Sequence, residues 1–283
     1  MIKQFLLSMI VILAACGSST AGSADSASNI PSEQTNDLDN SKNQVNMRNN
    51  SAKLQQFADQ GYVFDTFKTP SGREVSLIFI KHGSIAIDID GYLVYIDPVT
   101  IYGNDFSKLP KADLLMVTHE HHDHFDKEAL AELTSDDTRL IGSRRITELY
   151  GRGETMLPGD SKEISSQNFT ITATPAYNIS PDHLQFHPKE RQDDGFLVDI
   201  DGFRIYVAGD TEDIPEMADL KDIDVAFLPV NQPYTMTPQQ AIHATEMIRP
   251  KILYPYHYGD TDLSPLVEKF KEGPVEVRVR QLQ

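Results

Sequence analysis

Nine residues, THEHHDHFD at 118–126, hold four of the nine histidines in the chain and three acids. Ionisable groups so dense, directly after the apolar ADLLMV, are costly to bury unless they are paired or bind a metal. His119 and His121 stand two apart, so in extended backbone both side chains point the same way. Asp123 and His124 follow where the chain turns, and can converge on the same space. Imidazole and carboxylate ligands in this arrangement suit Zn²⁺, and also Mn²⁺ or Fe. Such a metal lowers the pKa of a bound water to about 7, which makes hydroxide available at neutral pH.

The elements that must position these residues are legible around them. DLLMVT (113–118) is a continuous apolar run, read as a strand buried on both faces. Before it, EVSLIFI (74–80), SIAIDID (84–90) and YLVYID (92–97) read as a meander, with Asp90-Gly91 as a hairpin turn. After it, FDKEALAEL reads as a helix capped by Asp126, and RRITELYG as one ending on Gly151. The second half repeats the theme. FTITATPAY (169–177), GFLVDID (195–201), FRIYVAG (203–209), DVAFLPV (224–230) and KILYPYHYG (251–259) are strand candidates, and Asp201-Gly202 supplies another hairpin turn. TPQQAIHATEMI (237–248) starts on Thr237 as N-cap with Pro238 at the first helical position. A further helix is expected around 263–272. Strands then helices, twice over, predict two sheets packed face to face with helices outside, in one domain over 57–283.

Composition narrows the partners. A net charge of −17 over 283 residues argues against nucleic acid, whose phosphates call for excess Lys and Arg. The single cysteine, Cys16, excludes an intramolecular disulfide. It closes MIKQFLLSMIVILAACG, a basic start followed by an apolar run of signal-peptide length. LAAC (13–16) resembles a bacterial lipobox, which implies a signal peptide over 1–15 and lipidation of Cys16. Residues 16–56 lack aromatics and are rich in Ser, Asn, Gly and Asp, so they are expected to form a disordered tether. Cell-envelope placement outside the cytoplasmic membrane follows, on the outer membrane in a Gram-negative host. There is no G-x-S-x-G elbow and no P-loop.

The motif H-x-H-x-D-H resembles the signature of the metallo-β-lactamase superfamily, and further landmarks occur in the family's order. YIDP gives Asp97, AGDT gives Asp210 and YPYHYG gives His257. The resemblance covers about residues 74 to 260 and implies an α+β fold, the four-layer αββα sandwich, with the site at one edge between the sheets. KHGS, PAYN, FHPK, GFLVDIDGFRIYVAGDTEDIPEM and YPYHYG look more narrowly like the branch of simple metal-dependent hydrolases. That branch includes ascorbate-6-phosphate lactonase-like and N-acyl-phosphatidylethanolamine phospholipase D-like proteins.

The resemblance implies site roles. One metal takes His119 and His121, a second takes Asp123, His124 and His257, and Asp210 bridges them. Asp123 and Asp210 would orient the nucleophile. The family's third motif carries a histidine where this chain has Asn178, and an amide is a poor Zn²⁺ ligand. His187 or His183 would have to reach in from the following loop; His187 is preferred because FHP recurs in the branch. Asp97 is expected to orient a ligand histidine through its free N–H, and His82 to line the pocket or serve structure. His122 is expected to point away, His243 to lie on a helix without a site role, and Tyr234 and Met236 to pack or border the cleft. A di-iron redox site of this fold would show Glu where His121 stands.

The expected activity is a metal-dependent hydrolase of a lactone, ester or phosphodiester, with one or two Zn²⁺ per chain. Two alternatives remain. One is a phospholipid hydrolase held near its substrate by the lipid anchor. The other is a non-catalytic metal- or ligand-binding lipoprotein on the same scaffold, suggested by Asn178.

Overall fold

The computed structural model describes residues 52–283. The expected signal peptide, Cys16 and the tether up to residue 51 lie outside the described residues. Among the described residues, fourteen strands form two seven-stranded sheets. The first contains β1 (Val63–Lys68), β2 (Glu74–Lys81), β3 (Ser84–Ile89), β4 (Tyr92–Ile96), β5 (Leu114–Val117), β6 (Arg139–Gly142) and β7 (Glu154–Thr155). The second contains β8 (Ser161–Ile164), β9 (Phe169–Ala176), β10 (Asp193–Ile200), β11 (Phe203–Val207), β12 (Val225–Pro229), β13 (Ile252–Tyr256) and β14 (Glu276–Val277). Both sheets follow one plan: the first four strands are antiparallel and the rest are added in parallel. Each meander contains a two-residue hairpin with both residues at positive φ, Asp90-Gly91 and Asp201-Gly202. That conformation suits Asp-Gly and matches the twist of the flanking strands.

Side-chain alternation sorts the first sheet into two faces. Val75, Leu77 and Phe79 of β2, with Ile85, Ile87 and Ile89 of β3, enter the core shared with the second sheet. Ile78, Ile80, Leu93 and Tyr95 point the other way, against Phe57, Leu130, Leu133 and Ile146. These last belong to helices α1 (52–59), α2 (Lys127–Leu133) and α3 (Arg144–Tyr150). Helices α4 (Pro238–Ile248) and α5 (Ser264–Phe270) add Ala241, Ala244, Ile248, Leu266 and Phe270 to the core of the second sheet. The result is the expected α+β, four-layer αββα sandwich.

The caps act as their residue types predict. Asp126 accepts from the backbone N–H of Glu128 and Ala129, Gly151 ends α3 in the left-handed region, and Thr237 with Gln240 forms a capping box. The expected domain boundary at 57 falls inside α1, which begins at residue 52. Lys53 already binds Asp113 and the carbonyl of Gly91, which ties this helix to the first sheet. The expectation also omitted β1, β6, β7, β8 and β14. They are short or, like β1, partly exposed at a sheet edge, and so lack a sustained apolar pattern.

Candidate metal centre

The turn between β2 and β3 and the segments following β4, β5, β9, β11 and β13 meet at one edge of the sandwich. They deliver, in chain order, His82, Asp97, the 118–124 segment, His187, Asp210 and His257. Three of these residues (His82, Asp97 and His257) are non-glycine residues with φ of 48–55°, in the left-handed region. Such strained positions are held by their surroundings and cluster at functional sites. Gly83 leaves the room that His124 needs: a Cβ there would lie 2.8 Å from His124 Cε1.

Two clusters of donor atoms result. In the first, His121 Nδ1 lies 3.1 Å from His119 Nε2 and 3.2 Å from His187 Nε2. Ligand nitrogens about 2.05 Å from a tetrahedral Zn²⁺ would be about 3.3 Å apart, so three inward nitrogens at this spacing fit a shared ion. In the second, His257 Nε2 is 3.4 Å from Asp123 Oδ2, and His124 Nε2 is 4.0 Å from the same oxygen. Asp210 lies between them. Its Oδ1 is 3.3 Å from His124 Nε2, and its Oδ2 is 3.4 Å from His187 Nε2 and 3.5 Å from His257 Nε2. His124 Nε2, His257 Nε2 and Asp210 Oδ1 are buried without a hydrogen-bond partner. Orphaned buried donors of this chemistry fit a divalent metal.

The distal ring nitrogens explain why the inward ones are aimed. His124 Nδ1 donates to Asp97 Oδ2 at 2.8 Å. His119 Nδ1 is 3.0 Å from the Thr118 hydroxyl, which itself donates to Asp97. His187 Nδ1 donates to the Tyr234 carbonyl at 3.1 Å. Each contact fixes the tautomer that leaves Nε2 free.

The charges suit the same purpose. Burial, joined by the charge of His124, holds the His119 imidazole well below its usual range, and burial brings His187 down to about 4. Burial alone would raise the carboxyls of Asp123 and Asp210. Close contacts with His257 and His82 outweigh it at Asp123, and the charges of His124 and His257 do so at Asp210, so both stay ionised. His82, brought to about 4 mainly by burial, has its ring centre 3.7 Å from that of His257, tilted by 42°, and lies 3.4 Å from Asp123 Oδ2.

Asn178 is buried and serves the loop. Its backbone N–H donates to the His187 carbonyl, and its side-chain amide donates to the carbonyls of His183 and Tyr234. It thereby closes the loop that brings His187 to the site. His183 bonds Glu212 at 3.0 Å and stands apart from both clusters. His122 is exposed, as expected, and His243 pairs with Asp213 on the surface of α4. Met236 is in the core, and Tyr234 is exposed.

Sequence reasoning missed Glu212, Arg191 and Tyr102. Glu212 accepts from the backbone N–H of Ile179 and Ser180 as well as from His183. The Arg191 guanidinium touches His121, and the Tyr102 ring lies 4.4 Å from that of His82. None of the three belongs to a motif. Only the position of Glu212 two residues after Asp210 offered a signal.

Comparison with known proteins shows the family. Residues 76–257, well over half of the chain, match the family model described as a beta-lactamase superfamily domain. The chain belongs to that superfamily. It is 30% identical over 210 residues to a metal-dependent hydrolase of Natranaerobius thermophilus, covering 70% of this chain and 90% of that one. A crystal structure from Parabacteroides distasonis, described as a metal-dependent hydrolase, superposes with a TM-score of 0.76. It is 47% identical, and the match covers 78% of this chain and all of that one. A metallo hydrolase of Ignicoccus hospitalis superposes with a TM-score of 0.63 at 26% identity, covering 74% of this chain and 95% of that one. The protein is a metal-dependent hydrolase of the metallo-β-lactamase superfamily.

Proposed function

We propose that the centre holds two divalent metals, Zn²⁺ first among them, and hydrolyses a lactone, ester or phosphodiester. His119, His121 and His187 would hold one metal, and Asp123, His124 and His257 the other, with Asp210 shared. The observation that carries this reading is that the Asp210 carboxylate lies between the clusters, its Oδ2 3.4 Å from His187 Nε2 of the first and 3.5 Å from His257 Nε2 of the second, and its Oδ1 3.3 Å from His124 Nε2. Bound there, metal supplies Lewis acidity and a water that ionises near neutral pH. Asp123 and Asp210, kept ionised, orient the nucleophile and accept hydrogen bonds from it. His82, kept neutral beside Asp123, is placed to pass a proton outward. A panel of lactones, carboxylic esters and phosphodiesters tests the reading. Asp210→Ala and His121→Ala should each lower turnover of the accepted substrate by more than about a hundredfold; undiminished turnover in both would overturn it.

A second reading, a phospholipid or similarly amphipathic substrate, is favoured by the rim. Ile101, Tyr102, Ile179, Leu184 and Tyr234 are exposed on the three loops bordering the centre. Exposed apolar residues gathered around a site suit an apolar partner. With Cys16 lipidated and 16–51 as a tether, the domain would work at the outer face of the cytoplasmic membrane or on the outer membrane. This reading also fits the branch with phospholipase D-like and lactonase-like members. Turnover of phospholipid vesicles above that of short-chain soluble analogues would support it; preference for the soluble analogues would favour a small polar substrate.

A further inference from the structure

We infer that Arg191 weakens the first metal position, keeping the ion held by His119, His121 and His187 more readily exchanged than its neighbour. The inference rests on the ligand assignment proposed above. Of the other rings that turn Nε2 inward, His119, His124 and His187 have distal nitrogens that meet oxygen (a hydroxyl, a carboxylate and a carbonyl), and the distal nitrogen of His257 meets no partner. His121 is reversed. Its Nδ1 faces the cluster, and its Nε2 meets Arg191 Nη1 at 2.8 Å. A guanidinium has N–H donors and no acceptor. A neutral imidazole binding metal through Nδ1 carries its proton on Nε2, so donor faces donor at that contact. The usual arrangement, an acceptor that raises the ligand's basicity, is inverted.

Arg191 cannot easily turn away. Its Nη2 lies 3.0 Å from Glu120 Oε2 and 3.2 Å from Asp193 Oδ2, and Nη1 also reaches the Phe186 carbonyl at 3.3 Å. Glu120 lies between His119 and His121 in the chain, so this ion pair places the guanidinium beside the histidine run. The positive charge therefore stays beside His121 and opposes a cation bound to it.

Arg191 is thus a positioning residue whose removal should improve binding. A residue that only packs against His121 would give the reverse. The test is competition of Zn²⁺ between the purified full chain and a chelating dye, comparing wild type with Arg191→Gln and Arg191→Lys. Wild type should release its two ions in a weak and a tight class. Arg191→Gln can offer an oxygen acceptor to His121 Nε2–H, and should tighten the weak class by about tenfold while leaving the tight class unchanged. Arg191→Lys, still a cationic donor, should stay near wild type. A weak class that loosens or stays unchanged in Arg191→Gln, beside two classes in wild type, overturns this inference alone. A wild type that binds fewer than two ions overturns the underlying ligand assignment, and this inference with it.

Discussion

At the scale of residues, the site depends on where individual donors sit rather than on their number. In the proposed centre His187 takes the place of the histidine that Asn178 does not supply, and Asn178 is committed to three backbone partners. His187→Ala should therefore remove about one of two metal equivalents, measured by elemental analysis. Asn178→His should lower metal content as well, because it breaks the loop closure; a gain of metal in Asn178→His would contradict this account. Asp194 makes a different prediction. Both its carboxylate oxygens are buried without a hydrogen-bond partner, and burial first, then the charges of Asp193 and Asp160, push it up to about 9. An unfolded aspartate titrates near 3.9. Between these values the folded chain holds a proton that the unfolded chain has lost, so stability is fully present below the lower value and falls as pH rises through the upper. Asp194→Asn should therefore gain stability relative to wild type at pH 8 but not at pH 3, by on the order of 1–3 kcal/mol. Parallel melting curves at the two pH values would contradict it.

At the scale of elements, strands deliver the ligands and loops complete the site. The ends of β5 and β11 and the turn after β13 are fixed by sheet pairing, so His119, Asp210 and His257 inherit the rigidity of the core. His187 instead comes from the 178–187 loop, which Glu212 holds through two backbone N–H groups and His183. Glu212→Gln weakens all three charge-assisted contacts. It should cost on the order of 1–3 kcal/mol of stability, read by thermal melting, and lower occupancy of the His187 position more than that of the His257 position. Equal loss from both positions would show that the loop is not the route. This contrast also explains what the sequence made legible. The central strands carry long apolar runs, and the caps and Asp-Gly turns have side-chain chemistry of their own, so all were readable. The short outer strands pair through backbone alone. Helix α1 is anchored by Lys53, which belongs to the polar stretch in sequence, and by Phe57, the first aromatic residue after it.

At the scale of the whole molecule, two sheets of the same plan meet, and the centre forms where their strand ends converge. His119 and His121 are legible in sequence because they follow the predicted strand at 113–118, whereas Asp210 and His257 are recognised only through the resemblance of AGDT and YPYHYG to the superfamily's motifs. The Arg191 contact, the Glu212 latch and the apolar rim arise from loops brought together only by folding, and no local pattern announces them. The rim gives a molecule-scale prediction. Replacing Ile101 and Leu184 together by Ser should reduce sedimentation of a chain of residues 52–283 with phosphatidylcholine vesicles severalfold, leaving metal content unchanged; undiminished co-sedimentation would remove the rim from the account. The central claim is a paired metal centre sharing Asp210, and metal content tests it most directly. Protein purified without chelator should contain two divalent ions per chain, and Asp210→Ala should contain fewer than one. One ion per chain, unaffected by Asp210→Ala, would contradict it.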